Sequence, residues 1–592
     1  MMLRAFSWTC FLLGQVPLVF SSPSGLQEVF QVYQPVPFAP ESNNGCDVEV
    51  VLMDHVFGAS YGKPFVGNYN PPKCNFDTVR INFTVESRGR QYDRLALMYL
   101  GDYEVFRTST AEPTSTGITW TYIKEMSQYN SLWQSPQKLI FDLGNLITDV
   151  YTGYYNATLT AHFSHTGNAK TADMILPISA KKSASNASSD FQLPADNATV
   201  QYKIPAEASR AVVSISACGQ SAEEFWWANV FSQDTWDFNN TIGELYGYSP
   251  FREVQLYIDG ILAGVIWPFP VIFTGGVAPG FWRPIVGIDA FDLRQPEIDI
   301  SPFLPLVQDG KEHSFEIRVT GLNITADGMA TFADTVGSYW VVTGNIFLYF
   351  DGTSSRVVHE HNPPKIEAPA PTFSVKRHLV QNQTGFNETL SYSVMAERTF
   401  KATSSQFSWS QKLSYSNHGY LNQQGLSQVN DQHTWGDNTI SEVGEKGRSS
   451  KTSFEYPLLV NNTYALTANS MTIDAWMKRG LDIDADEGLG ISTYTFTSGP
   501  VRLHTSQAGS AHYQSVDNQN STSSGDTVDE FEGSSDGQAY KRSVRAVNGS
   551  VVADTNPGNG ASVSSHSPDV KLLNGLGRDS VRSMLGRGPG AK

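Results

Sequence analysis

The sequence predicts an all-β protein: two tandem antiparallel β-sandwiches, a third β-rich C-terminal region and a disordered tail. Three observations support this. Apolar residues recur with period two, as in Val79-Arg-Ile-Asn-Phe-Thr-Val-Glu86, where Arg80, Asn82, Thr84 and Glu86 share the wet face. The stretch Glu253-Val-Gln-Leu-Tyr-Ile-Asp-Gly-Ile-Leu-Ala-Gly-Val-Ile266 is two strands joined at Asp259-Gly260, a strong hairpin signal. No helical stripe is sustained anywhere in the chain.

Taken in order, residues 1–21 read as a secretory signal. Arg4 supplies the charged start, Ala5 to Phe20 is uncharged, and Val19-Phe20-Ser21 offers compact residues for cleavage. A membrane anchor is the alternative, but the run is short for a span and Pro17 interrupts it. Residues 45–180 and 200–350 are expected to form the two sandwiches, because a faint repeat links them. Asp93-Arg94 precedes the strand pair beginning at Leu95, and Phe251-Arg252 precedes the pair beginning at Glu253. A second pairing sets Phe141-Asp-Leu-Gly-Asn-Leu-Ile147 against Ile298-Asp-Ile-Ser-Pro-Phe-Leu304. The polar stretch Lys181 to Asp190 is the expected linker. Residues 370–550 carry long, polar-faced strands such as Thr399 to Ser410, rich in Ser, Asn and Gln. Residues 551–592 are dominated by Gly, Ser, Asn and Pro and are expected to be disordered.

Composition narrows the function. A chain of 592 residues exceeds one core, since cores stop growing at roughly 250–300 residues. A net charge of −17 excludes a nucleic-acid partner, because nothing here would neutralise a phosphate backbone. No segment after the signal approaches a membrane span, so the mature protein is expected to be soluble. Cys10 leaves with the signal, so Cys46, Cys74 and Cys218 remain. Cys46 and Cys74 flank the opening loop of the first domain and are the natural pair, with Cys218 in the other domain left as a thiol. Sequons at Asn82, Asn156, Asn186, Asn197, Asn239, Asn323, Asn382, Asn387, Asn461, Asn520 and Asn548 fit a glycosylated secreted or lumenal protein.

Two stretches carry candidate chemistry. In Gly89-Arg-Gln-Tyr-Asp-Arg94, Asp93 stands at the mouth of an apolar strand between Arg90 and Arg94. Asp is a poor strand residue, so it is either half of a surface ion pair capping the strand or a reactive carboxylate at the rim of a sheet. In Ala217-Cys-Gly-Gln-Ser-Ala-Glu-Glu-Phe-Trp-Trp-Ala-Asn229, Glu223 and Glu224 lie beside Phe225, Trp226 and Trp227. Desolvation by aromatic rings raises a carboxyl pKa and makes a proton donor. The bland alternative is an aromatic core cluster with solvated glutamates. Arg283 beside Trp282 either clamps a ligand oxygen or packs on the ring. Glu112, before Pro113, is extended and either contacts a ligand or merely closes a polar connection. His359 and His361 are two apart with no third ligand, and no metal or cofactor is expected.

These motifs together resemble the acid peptide N-glycanases, the glycoamidases of the plant and fungal A type. The resemblance covers roughly residues 45 to 350. It runs through Tyr69-Asn-Pro-Pro-Lys-Cys74, Gly89 to Arg94, Arg107-Thr-Ser-Thr-Ala-Glu-Pro-Thr114, Tyr151-Thr-Gly153, Glu223-Glu-Phe-Trp226, Trp267-Pro-Phe-Pro-Val-Ile-Phe-Thr-Gly-Gly276 and Trp282-Arg-Pro284. It implies two side-by-side eight-stranded jelly rolls, and hydrolysis of the amide between the proximal N-acetylglucosamine and asparagine in an N-glycopeptide or glycoprotein. It maps the catalytic Asp onto Asp93 and the essential Glu onto Glu224, with Glu223 one residue away. Arg94, Glu112, Glu223, Trp227, Trp282 and Arg283 are the expected substrate contacts. A further Glu of the bacterial relatives has no counterpart, its place being taken by Leu143-Gly-Asn145, so Glu112 substitutes or the third carboxyl is dispensable. The alternative reading is a non-catalytic glycan-binding β-sandwich protein. On either, both carboxyls should face one cleft between the sandwiches.

Overall fold

The computed structural model describes residues 25–33, 45–165, 171–325, 327–350, 362–444, 447–486, 501–516, 521–535 and 538–555. The signal at 1–21, the pair His359 and His361 and the chain beyond 555 lie outside them.

The period-two stretches are strands. In Thr78–Arg88, Val79, Ile81, Phe83 and Val85 point into the core while Asn82 and Glu86 are exposed. That strand is central in a five-stranded sheet ordered Gln27–Glu28, Ile118–Glu125, Thr78–Arg88, Tyr154–Ser164, Asp47–Phe57. Facing it is a four-stranded sheet ordered Phe65–Tyr69, Gln137–Leu143, Leu95–Leu100, Tyr103–Ser109. Phe57, Phe83, Phe106 and Phe141 pack between the two, apolar faces inward as a sandwich requires.

The second sandwich repeats the plan. Its four-stranded sheet runs Thr199–Tyr202, His313–Thr320, Glu253–Ile258, Ile261–Ile266, the same connectivity as the first. Each sheet carries a bulged hairpin, at Met98/Tyr99 and at Leu256/Tyr257. Asp259 and Gly260 turn the second hairpin with φ of 49° and 76°, as a two-residue turn demands. The opposing sheet is built on Tyr339–Phe350 and Ala208–Gln220, with Glu297–Asp299 at one edge. Met174–Ile178, which a boundary at 180 places in the first sandwich, pairs with Tyr339–Phe350 instead. The second sequence pairing does not hold. Phe141 lies in a closing strand whose counterpart is His313–Thr320, whereas Ile298 to Leu304 leads into the short helix Leu304–Val307, the counterpart of Asn130–Trp133. A few apolar residues around one Asp are too short a pattern to set a register.

The two sandwiches are joined side by side through buried charge. Arg107 grips Glu104 at 2.6 and 2.7 Å, and its Nη1 donates to Val341 O at 2.8 Å. Thr343 Oγ1 and Asn345 Nδ2 complete Glu104 at 2.6 and 2.8 Å. Every group in this buried pair is partnered, the condition for tolerating charge away from water.

Among the described residues beyond 362 the chain forms one antiparallel sheet of eleven strands from Lys365 to Asp554, laid down almost wholly in sequence order. Its apolar face covers the second sandwich, so Val394, Trp409 and Tyr415 share a core with Phe251, Leu256 and Trp267. The side-chain amide of Gln411 both accepts from Val265 N and donates to Val265 O at 2.9 Å, standing in for a missing ladder partner. Ser550–Asp554 pairs with Gln538–Val547, so order persists past the expected start of the tail at 551. Among the described residues no helix is long and apolar enough to cross a membrane. Asn82, Asn156, Asn197, Asn239 and Asn323 are all exposed.

Cys46 and Cys74 are bonded to each other and Cys218 is a free thiol. The bridge closes a segment with a sequence separation of 28. Removing it by Cys74→Ala should lower unfolding stability by about 3–4 kcal/mol, read as a shift in urea midpoint.

Candidate active site

Asp93 ends the loop before Leu95–Leu100, and its surroundings are built locally. Gln91 Oε1 accepts from Tyr92 N at 3.1 Å and from Arg94 Nη2 at 2.7 Å, while Gln91 Nε2 donates to Leu146 O at 2.8 Å. Arg94 also donates to Tyr61 Oη at 2.8 Å, and its backbone is tied to Thr110 through both N and O. These bonds hold the loop and leave the Asp93 carboxylate aimed across the domain boundary. There Asp93 Oδ2 accepts from Gly275 N at 2.5 Å. Asp93 is therefore not the strand-capping half of an ion pair; it is engaged by the second sandwich.

Gly275 lies in the long loop from Trp267 to Pro296, which links two strands of that sandwich. A Cβ at this position would meet Glu112 Oε1 at 2.6 Å and Asp93 Oδ2 at 3.0 Å, so only glycine lets both carboxyls converge here. Thr274 Oγ1 accepts from Glu112 N at 2.9 Å. Arg283, on the same loop, lies 4.0 Å from Glu112 Oε2 and donates to Glu112 O at 3.4 Å. Glu112, from the first sandwich, thus joins Asp93 at one point.

The adjacent glutamates part company. The turn Ser221–Glu223 folds back on its own strand so closely that a side chain at Gly219 would collide with Glu223 O. Glu223 turns inward with no exposed side-chain surface. Its carboxylate takes 2.5 and 2.7 Å bonds from Arg252, 2.9 Å from Gly337 N and 2.8 Å from Trp340 Nε1. Every acceptor site is used, so Glu223 is a core anchor rather than a substrate contact. Glu224 faces the other way, within electrostatic reach of Asp93, Glu112 and Cys218.

Three carboxyls in one water-poor crevice cannot all ionise. Burial pushes Asp93 up to about 6, against the pull of the Gly275 amide and Arg94. Burial and then Asp93 push Glu112 up to about 8, opposed by Arg283, Arg90 and Arg94. Glu224 is driven well above the usual range by burial and by both other carboxyls. Burial and mutual repulsion thus hold protons on the cluster above the usual carboxyl range, with Asp93 ionising below Glu112. A carboxylate beside protonated carboxylic acids can accept a proton and give one within the same crevice.

Two expected contacts are elsewhere. Trp227 is buried between the second sandwich and the long sheet, where Asn417 Nδ2 donates to its carbonyl at 2.9 Å. Trp282 is buried too, its Nε1 donating to Gly276 O at 2.7 Å. Both rings stiffen loops, and neither offers a face to a sugar. Large aromatics contribute most when buried, and sequence adjacency to a site does not expose them. Arg94 likewise supports the loop through Tyr61 and Gln91. Gly275, Thr274 and Gln91 were not singled out by sequence, though Thr274, Gly275 and Gln91 stand inside motifs already noted. A cavity of about 310 Å³ lies between the second sandwich and the long sheet, walled in part by Trp226, Trp267, Trp409 and Glu297. Glu224 lines it, whereas Asp93 and Glu112 do not. Among the described residues no group of His, Cys, Asp or Glu is arranged to hold a metal ion.

Comparison with known proteins gives the following. A family model described as peptide N-acetyl-beta-D-glucosaminyl asparaginase amidase A matches residues 35–365, and one for the PNGase A C-terminal domain matches 391–458. Peptide-N4-(N-acetyl-beta-glucosaminyl)asparagine amidase A of Prunus dulcis is 36% identical over 330 residues, covering 52% of this chain and 55% of that protein. The chain thus spans about half the length of this curated relative. Among solved structures, PNGase F, a glycosylasparaginase from Flavobacterium meningosepticum, aligns at 12% identity over 52% of this chain and 96% of its own, with a TM-score of 0.33. PNGF-II aligns at 10% identity over 52% and 66%, with a TM-score of 0.35.

Glu223→Gln leaves the Arg252 charge buried without its counterion, so it should cost about 3–5 kcal/mol in urea unfolding. A loss under 1 kcal/mol would contradict the anchor role. The raised carboxyls also predict a pH slope. Groups bound more tightly to protons in the fold stabilise it below their unfolded pKa and lose that contribution as pH rises through the folded one. For Asp93, from 3.8 to about 6, and Glu112, from 4.5 to about 8, stability should fall as pH climbs from about 4 to 8. Glu112→Gln should make that decline shallower in midpoints measured across the range.

Proposed function

The chain belongs to the peptide N-acetyl-beta-D-glucosaminyl asparaginase amidase A family, and on that premise we propose that it hydrolyses the amide joining the proximal N-acetylglucosamine to asparagine in N-glycopeptides or glycoproteins. The observation that carries the reading is the convergence of Asp93 and Glu112 over Gly275 between the sandwiches, with Glu224 within electrostatic reach of both.

An amide is a poor electrophile with a poor leaving group, so hydrolysis needs an activated water and a protonated nitrogen. Asp93, ionised above about pH 6 and held by Gly275 N, takes a proton from water as its oxygen adds to the side-chain carbonyl carbon. Glu224, still protonated, donates a hydrogen bond to the carbonyl oxygen and then its proton to the nitrogen as the C–N bond breaks. The products are a peptide with aspartate in place of asparagine and a glycosylamine, which loses ammonia to water. Asp93 and Glu224 then exchange the surplus proton. Glu112, neutral and braced by Thr274 and Arg283, offers a hydrogen bond to the sugar beside the scissile bond.

The uncharged N-terminal run after Arg4 and the sequon density support secretion or delivery to a lumenal compartment such as a vacuole. The substrate class fits, because N-glycoproteins are made and turned over along that route.

Incubation with an N-glycopeptide and mass spectrometry test the reading. Glycan loss coupled to conversion of the linked Asn to Asp is expected, with activity rising through about pH 6. Asp93→Asn and Glu224→Gln should each lower kcat by roughly 10²–10⁴-fold while glycopeptide binding persists. Binding without any turnover by the unaltered protein would favour the glycan-binding alternative.

A further inference from the structure

The loop from Trp267 to Pro296 supplies Thr274, Gly275 and Arg283 to the carboxyl cluster, yet it contains only one short helical turn, Pro279–Phe281. A segment that long, without a ladder of its own, is fixed only by what it touches. On one side the first sandwich and the N-terminal strand hold it: Ser109 N donates to Ala290 O at 2.9 Å, and Phe30 N to Pro284 O at 2.8 Å.

On the other side lies the eleven-stranded sheet, and its contacts are specific. Arg479 Nη2 donates to Pro270 O at 2.7 Å, Thr527 Oγ1 to Phe281 O at 2.9 Å, and Gln507 Nε2 to Val286 O at 3.0 Å. All three side chains are buried. The turn also seats glycine on glycine: a side chain at Gly280 would collide with Ser524 O, and one at Gly525 with Gly280 O. Covering an apolar core requires none of this. Buried donors meeting main-chain carbonyls at Pro270, Phe281 and Val286 set where the loop lies.

We propose that the C-terminal sheet is a working part of the site, with Thr527, Gln507 and Arg479 as positioning residues that fix Gly275 and Arg283 against Asp93 and Glu112. The proposal rests on the amidase reading for its kinetic consequence, though not for its structural one.

The charged and titratable groups facing Asp93 and Glu112 come from every side. Arg90, Arg94, Tyr92 and Tyr155 belong to the first sandwich, Glu224 and Arg283 to the second, and Tyr513 to the long sheet. Of these, Arg283 rides on the loop, as does the Gly275 amide. Both favour the ionised carboxylates, so a displaced loop weakens that support and the ionisations move to higher pH.

The test compares the unaltered protein, Thr527→Val, Thr527→Ser and Gln507→Leu. Hydrogen–deuterium exchange of peptides spanning 267–296 is read first, since it does not require turnover. Thr527→Val and Gln507→Leu should speed exchange there, and Thr527→Ser should not. With an N-glycopeptide, the two disruptive variants should lose roughly ten- to a hundredfold in kcat, as misplacement of about 1 Å does, with little change in KM. The acid limb of their rate profile should move to higher pH, and Thr527→Ser should keep the original limb. Unchanged loop exchange in both disruptive variants would overturn the proposal. So would a fall in activity shared by Thr527→Ser, or one with an unmoved limb, which marks loss of stability alone. An inactive unaltered protein with faster loop exchange in the variants would count against the amidase reading and not against the positioning role.

Discussion

Taking three carboxyl groups out of water at one point is the constraint on which the rest of this molecule depends. Each would ionise on a surface; together, half-buried between two sandwiches, they share protons. That state is maintained by a narrow set of opposing influences. One backbone amide and several guanidinium groups support ionisation, while burial and mutual repulsion oppose it. The fold brings these influences from both sandwiches to the same place, and the fully partnered Glu104–Arg107 pair keeps the sandwiches in register.

The divergence of Glu223 and Glu224 shows how local geometry assigns roles to identical side chains. One turn separates an environment with four donors, two of them from Arg252, from one with two competing carboxyls. Glu223 organises the second sandwich around Arg252 through its hydrogen bonds. Glu224 is pushed toward its protonated form by burial and by the two neighbouring carboxyls. Neither role follows from residue type.

Much of this was legible in the sequence. Period-two burial, the Asp-Gly hairpin and the cysteine pair depend on short-range rules that a single chain displays. Asp93 and Glu224 were each visible as carboxyls at a strand end, and Glu112 as an extended residue in a polar loop. What escaped was long-range. Trp227 and Trp282 look like sugar platforms beside a site, but only the covering sheet decides that their faces are buried. Gly275 matters because two distant carboxyls meet over its missing side chain, and no local pattern announces that. The second repeat pairing failed because its pattern was shorter than the register it had to fix.

The loop bonded to Thr527 has a bearing on biosynthesis. Phe281 and its partner are 246 residues apart in sequence. At roughly 5–20 residues per second, translation delivers the second partner about 12–50 s after the first. Through that interval both sandwiches can have emerged and folded while their shared loop is held from one side only. Completion of the site is thus tied to completion of the chain, and a ribosome-bound intermediate differs from the finished molecule in chemistry as well as in length.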